Sequence, residues 1–534
     1  MPTDRPLLRS PRPSPRRPAT AFTLSALTAT ALLAPMAAPA AADTADGVED
    51  LRKDIDALLD DPALEGATSG VLVGSLDTGD VLYGRDDAVP LIPASNTKLL
   101  TSAAALDVLD TDHTFSTTVS ASEEPVGGVV IGDLYLTGTG DPSLTSDAFD
   151  RLAADVADSG VSEVTGDLLA DDTWFDSERL PEDWETEDEP YYYGAQISAL
   201  TVAANEDLDT GVVNVTAAPG ETEDEPVDVR LAPAGDNLDL TNNASTGPPG
   251  SASTVDVTRE LGTNRFTAAG SLPAGGEDFR TLRTVHEPTD HAAHLFADSL
   301  EDNGVKVHGG VDRGTEPEGA EELAGRESAE LGDLLVPLMK LSNNGHAEIL
   351  VKSMGREAAG EGGWKTGLAE VEAALGRIGV DLEEGELHDG SGLARTNLLT
   401  AGTVTGVLEA VRGEPWAEVW TESLPVAGAE DRMVGGTLSQ RMRGTAAEGN
   451  VRAKTGTLSG VSALSGYVTG ADGEELVFAI INNDYESAAP RDLQDAIAVR
   501  LAEFSRDSGA GVQREPLPLN APDDGLECTW AETC

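Results

Sequence analysis

Ser95-Asn96-Thr97-Lys98 places a serine one helical turn before a lysine, after Pro93 and at the head of an apolar run, Leu99, Leu100, Ala103 and Leu106. The chain has seven lysines, and Lys98 alone has a serine three positions upstream. A spacing of three puts both side chains on one helical face, within reach of each other. The serine then lies at a helix N-terminus, where free backbone N–H groups and the positive dipole end favour developing negative charge. That arrangement suits a nucleophile whose base is an amine rather than an imidazole. An ordinary helix start gives the same four letters, so the reading turns on partners elsewhere in the chain.

Two further short patterns supply them. Ser342-Asn343-Asn344 is the sole Ser-x-Asn of the chain and precedes a helical run from Ala347. A hydroxyl and an amide two residues apart can relay a proton and hold a substrate amide. Lys454-Thr455-Gly456-Thr457 opens the segment leading to the apolar run Val461 to Val468. It offers a fixed positive charge, two hydroxyl donors and a glycine, Gly456, beside which a substrate backbone could add to a strand edge. A second Lys-Thr-Gly, Lys365-Thr366-Gly367, begins a helical pattern (Leu368, Val371, Ala374, Leu375) and is set aside.

The order Ser-x-x-Lys, Ser-x-Asn, Lys-Thr-Gly is that of penicillin-binding proteins and serine β-lactamases. The chain resembles the class C low-molecular-mass penicillin-binding proteins, the D-alanyl-D-alanine carboxypeptidase/endopeptidase group, whose long insertion follows the first motif. Gly138-Thr139-Gly140-Asp141-Pro142, Asp389-Gly390-Ser391-Gly392-Leu393 and Leu424-Pro425-Val426-Ala427-Gly428 add to the likeness. It implies an α+β, β-lactamase-like transpeptidase fold: an antiparallel sheet flanked by helices, with a large β-rich insertion. It also implies that Ser95 attacks the carbonyl between two terminal D-alanines and that a neutral Lys98 takes the serine proton. Burial and a neighbouring Lys454 would both favour that neutral amine. Ser342 and Lys454 would pass the proton to the leaving amine, and Asn344 would hold the substrate amide. The backbone N–H groups of Ser95 and Thr457 would form the oxyanion hole, with Thr455, Thr457 and Lys454 on the terminal carboxylate. A second pocket, for the free zwitterionic end of a peptidoglycan stem, would draw an acid from Glu187 or Asp188, near Trp184 and Tyr192. Its cation would be Arg395, near Leu393. Peptidoglycan stem peptides are the expected substrates and β-lactams the expected covalent inhibitors; no cofactor or metal is expected.

The rest of the chain bounds this reading. At 534 residues it is too long for one ordinary domain. Arg5, Arg9, Arg12, Arg16 and Arg17 precede an apolar stretch from Phe22 to Ala34 and a small-residue tract ending Ala40-Ala41-Ala42. That is the order of a secretory signal cleaved near Ala42, giving an exported protein; the Pro-Ala-Thr-Ala after Arg16-Arg17 argues against twin-arginine export. No further stretch is long enough for an integral membrane span. The formal net charge of −60 makes nucleic acid and anionic membrane poor partners and describes a solvated acidic coat, with adaptation to high salt as a secondary reading. Cys528 and Cys534 lie in a Pro-rich tail, either as a local disulfide or as free or intermolecular thiols. The expected organisation is a leader over 1–42, catalytic segments over 43–114 and 321–508, inserted β-rich subdomains over 115–320, and a tail over 509–534.

Rival readings lack parts. A Ser-His-Asp hydrolase has no Gly-x-Ser-x-Gly elbow, since position 389 is Asp, and His346 and His388 read as packing and turn residues. A metallohydrolase has no His-Glu-x-x-His, and His291-x-x-His294 has the wrong spacing for a helical zinc pair. A serine β-lactamase shares all three motifs but not the insertion. A non-catalytic envelope-binding protein would have no use for all three motifs intact.

Overall fold

The computed structural model describes residues 44–382, 385–486 and 488–507; the leader, the C-terminal tail and both cysteines lie outside the described residues. Two hairpins from opposite ends of the chain meet in one sheet. Thr68–Ser75 and Val81–Arg85 form the first, turning at Asp77 to Asp80. Val461–Thr469 and Glu475–Asn483 form the second, turning at Ala471 to Gly473. Thr68–Ser75 pairs with Glu475–Asn483 over eight residues, and Arg452–Leu458 adds an outer strand beside Val461–Thr469. The result is a five-stranded antiparallel sheet whose strands come from both ends of the sequence.

Period-two alternation explains why the central strands read as continuous apolar runs. Ala463, Tyr467, Val477, Ala479 and Ile481 enter one core with Leu99, Leu100, Val404 and Leu408. Leu464, Val468, Leu476, Phe478 and Ile480 enter the opposite core with Leu51, Ile55, Ile497 and Leu501. Helices therefore cover both faces: Thr97–Leu109 and Ala401–Val411 on one, Thr44–Leu59 and Arg491–Ala502 on the other. Behind the first face, Asn344–Ala359 packs on Trp364–Arg377. The set-aside Lys365-Thr366-Gly367 serves that contact, for a Cβ on Gly367 would lie 2.0 Å from the Val351 carbonyl oxygen.

Between Leu109 and Leu331 no strand joins this sheet. A second five-stranded sheet, containing Ser116–Ala121, Leu134–Gly138 and Leu168–Asp171, packs on the helices Ser146–Asp158 and Pro288–Asp302 around Phe149 and Phe296. Short strands over 212–284 enclose a separate core at Val215, Val257 and Phe266. The stretch from 128 to 138 holds two strands, Val129–Val130 and Leu134–Gly138. Gly132 breaks it at φ +112°, a backbone conformation that favours glycine, and gives its N–H to Thr165 Oγ1.

Candidate active site

The Ser95 turn is built before the helix rather than in it. Ala94–Asn96 form a short 3-10 turn after Pro93, and the α-helix begins at Thr97. Ala94 has φ +47°, and its carbonyl accepts from Thr97 Oγ1 at 3.0 Å. Asn96 is buried and reaches across to the outer strand, where Nδ2 donates to the Lys454 carbonyl at 3.3 Å. These contacts leave Ser95 half-buried at the mouth of a cavity, with Lys98 fully buried below it.

The structure brings the first two motifs together at Lys98. Its Nζ lies 3.0 Å from Ser95 Oγ, 2.7 Å from Asn344 Oδ1 and 2.8 Å from the Ser391 carbonyl oxygen. Asn344 Nδ2 donates to the Tyr193 carbonyl, which turns Oδ1 toward the lysine. Ser391 O and Asn344 Oδ1 can only accept, so each takes an N–H of the Lys98 amine.

A second pair sits beside the first. Lys454, also fully buried, donates to Ser342 Oγ at 2.7 Å and to the Thr455 carbonyl at 2.9 Å. Ser342 ends the Leu331–Leu341 helix at φ +60°, and Asn343 caps the next helix, its Oδ1 accepting from His346 N–H. Thr455 is buried with its hydroxyl donating to Thr437 Oγ1 at 2.8 Å, while Thr457 lines the cavity. Gly456 packs against the nucleophile turn: a Cβ there would lie 2.8 Å from the Pro93 carbonyl oxygen and 3.0 Å from Ser95 N, so the missing side chain admits the Ser95 turn.

The second-pocket residues separate. Asp188, Tyr192, Leu393 and Arg395 line the cavity. Glu187 is exposed and is not among the lining residues. Trp184 stands outside it too: its Nε1 donates to Asp389 Oδ2 at 2.8 Å, tying the 389–394 loop from behind. Burial is the largest influence on Asp188 and pushes its carboxyl up, aided by Glu185 and Glu187 and opposed by the Tyr193 hydroxyl and by Arg395. The sequence reading missed Tyr193, whose hydroxyl bonds Asp188 at 3.2 Å and whose carbonyl holds Asn344. Three consecutive tyrosines carry no mark of which one does this. It missed the Ser391 carbonyl as well, because a backbone acceptor has no residue-type signature.

His346 is fully enclosed beside this site, donating from Nε2 to the Leu208 carbonyl at 2.7 Å, with Nδ1 unpartnered. Burial lowers it to about 4 from 6.5. An unfolded chain takes up this proton near 6.5 and the folded one only near 4, so acidification through that window favours unfolding. His346→Gln is therefore expected to flatten the fall in stability between pH 6.5 and 4 by up to about 1.4 kcal/mol per pH unit, checked by denaturant titration at several pH values. An unchanged slope would mean the histidine is not buried neutral.

Comparisons with known proteins give the family. The D-Ala-D-Ala carboxypeptidase 3 (S13) family matches residues 51–504. The D-alanyl-D-alanine carboxypeptidase of Actinomadura sp. (strain R39) is 53% identical over 99% of this chain and 98% of its own length. The D-alanyl-D-alanine carboxypeptidase DacB of Haemophilus influenzae is 27% identical over 79% of this chain and 87% of its own. The crystal structure of penicillin binding protein 4 from Haemophilus influenzae superposes with a TM-score of 0.73 at 26% identity, covering 84% of this chain and 98% of that one. With a matching family model over most of its length and Ser95 in contact with a buried Lys98, the chain belongs to the D-Ala-D-Ala carboxypeptidase 3 (S13) family.

Proposed function

We propose that this serine D-alanyl-D-alanine carboxypeptidase/endopeptidase works on peptidoglycan stem peptides through an acyl-enzyme on Ser95. The observation that carries the reading is Lys98 Nζ held between Ser95 Oγ and Asn344 Oδ1. Ser95 Oγ attacks the carbonyl between the terminal D-alanines while its proton passes to Lys98. The developing oxyanion is received by the Ser95 and Thr457 N–H groups. As the C–N bond breaks, the proton taken from Ser95 is relayed through Ser342, in contact with Lys454, to the leaving amine, which returns Lys98 to its neutral form. Water then hydrolyses the ester and frees Ser95.

Two parts of this reading draw on sequence as much as on geometry. Export belongs to it, supported by the basic, apolar and small-residue order of 1–42; no helix among the described residues is long and apolar enough to cross a membrane. We also read 43–114 and 321–508 as one catalytic domain interrupted by 115–320, because the sheet beside Ser95 draws its strands from both flanks. The test is intact-mass analysis of a penicillin adduct, peptide mapping of the label, and product analysis on a defined stem peptide. A long-lived adduct on Ser95 with release of D-alanine supports the reading. Rapid turnover of penicillin would make the chain a β-lactamase, and failure to label would leave a non-catalytic envelope-binding protein.

Asp188 and Arg395 are read as the acid and cation for the free end of the stem. Asp188→Asn is then expected to raise KM for a stem peptide with a free zwitterionic end by about tenfold, the worth of one charge-assisted contact. Activity on an N-blocked dipeptide ester should stay within twofold, roughly the scatter of a surface change. Equal losses on both substrates would remove Asp188 from recognition.

A further inference from the structure

We propose that Glu348 is a positioning residue for acyl transfer, holding the Ser391 carbonyl against Lys98 from beneath the site. The inference rests on reading Ser95 and Lys98 as nucleophile and base. Glu348 lies one helical turn after Asn344 and is fully buried. Its Oε1 accepts the Gly390 N–H at 3.0 Å and the Ser391 N–H at 2.8 Å. Its Oε2 accepts the Trp364 indole N–H at 2.8 Å.

The same two residues present their carbonyls to the opposite helix. Gly390 O accepts from Thr101 Oγ1 at 2.7 Å, and Ser391 O accepts from Lys98 Nζ at 2.8 Å. The loop is thus clamped by its amides on the Asn344 helix and by its carbonyls on the Lys98 helix. Packing allows no slack, since a Cβ on Gly390 would lie 2.4 Å from Val351 Cγ2. Asp389, buried alongside, gathers the Gly392 and Ala394 N–H groups and fixes the far end of the turn. Burial and the Asp389 charge push Glu348 up to about 7, against the pull of its Trp364, Ser391 and Gly390 hydrogen bonds.

The consequence falls on the base. A lysine amine sits on a flexible stem, and its lone pair points at Ser95 only while its N–H bonds are held by fixed acceptors. Asn344 is one of them and Ser391 O another, and the latter is placed by Glu348.

The test compares Glu348→Gln and Thr101→Val with the wild type, by the second-order rate of Ser95 acylation with a fluorescent penicillin between pH 5 and 9. An amide at 348 must face N–H donors with its own NH2, so the loop loses its anchor; valine at 101 loosens the other side without a buried charge. Misplacement of the base on the order of 1 Å is expected to cost up to about 10²-fold in acylation for Glu348→Gln and less for Thr101→Val. In both, the acid limb of the rate profile should move, which a merely structural defect would not cause. Folding is followed by thermal melting, and Thr101→Val carries the test should Glu348→Gln not fold. Wild-type rates and an unmoved limb in the folded variants would overturn the inference. Ser95→Ala run in parallel separates the two readings: residual labelling there would overturn the Ser95 assignment itself.

Discussion

Ser95→Ala is expected to abolish penicillin labelling and to reduce D-alanine release by on the order of 10⁶-fold, the loss seen when an acyl-transfer nucleophile is removed. The size of the effect follows from chemistry that no neighbour can replace. Ser342 Oγ is engaged by Lys454, and Ser391 directs its hydroxyl to Asp389 at 3.2 Å, so neither is set to take over the attack. The fold should survive. Ser95 is half-buried, and Lys98 retains Asn344 Oδ1 and the Ser391 carbonyl when the hydroxyl is gone. One lost polar contact of this kind costs about 1 kcal/mol. The measurement pairs thermal melting with gel fluorescence and amino-acid release. A folded Ser95→Ala protein that still releases D-alanine would end the assignment of this serine as the nucleophile.

How far the site could be read in advance depended on where its information lies. Ser95 and Lys98 share a helical turn, so a spacing of three already places them in contact. The hairpins at 68–85 and 461–483 have a similarly local cause, apolar runs either side of turn residues. Their joining through Thr68–Ser75 and Glu475–Asn483 spans some four hundred positions, and nothing local gives its register. Other features had no local mark at all. Glu348 sits inside a helix as any surface glutamate would, and only the fold turns it toward the amides of 390 and 391. In Glu185-Thr186-Glu187-Asp188-Glu189 every acid looks alike, yet Asp188 lines the cavity, Glu187 is exposed, and Glu189 is paired with Arg259. That Gly456 makes room for the Pro93–Ser95 turn could not be seen, because that turn is distant in sequence.

Gly392→Ala is expected to bring the second-largest loss, and for a reason written wholly in backbone geometry. Gly392 has φ +87°, and a Cβ there would lie 1.9 Å from the Ala94 carbonyl oxygen and 2.8 Å from Thr97 Oγ1. Ala94 cannot retreat cheaply: it is itself at φ +47°, it is fully buried, and the next residue is Ser95. Any relief must push the Ser95 turn away from Lys98 or lift the 389–394 loop from it, and a shift near 1 Å costs about 10²-fold in rate. The left-handed backbone and the clash together should lower stability by about 2–4 kcal/mol. Gly473→Ala is the matched control, with φ +89° in the Ala471 to Gly473 turn and open space around its Cβ position. It should pay only the conformational cost of about 1–2 kcal/mol and acylate at the wild-type rate. Acylation kinetics with penicillin, read beside thermal melts of both variants, distinguish the two contributions. Wild-type acylation by Gly392→Ala would show that the loop and the nucleophile turn move independently, and the close packing of Gly392 on Ala94 would then have no part in setting the Ser95–Lys98 distance.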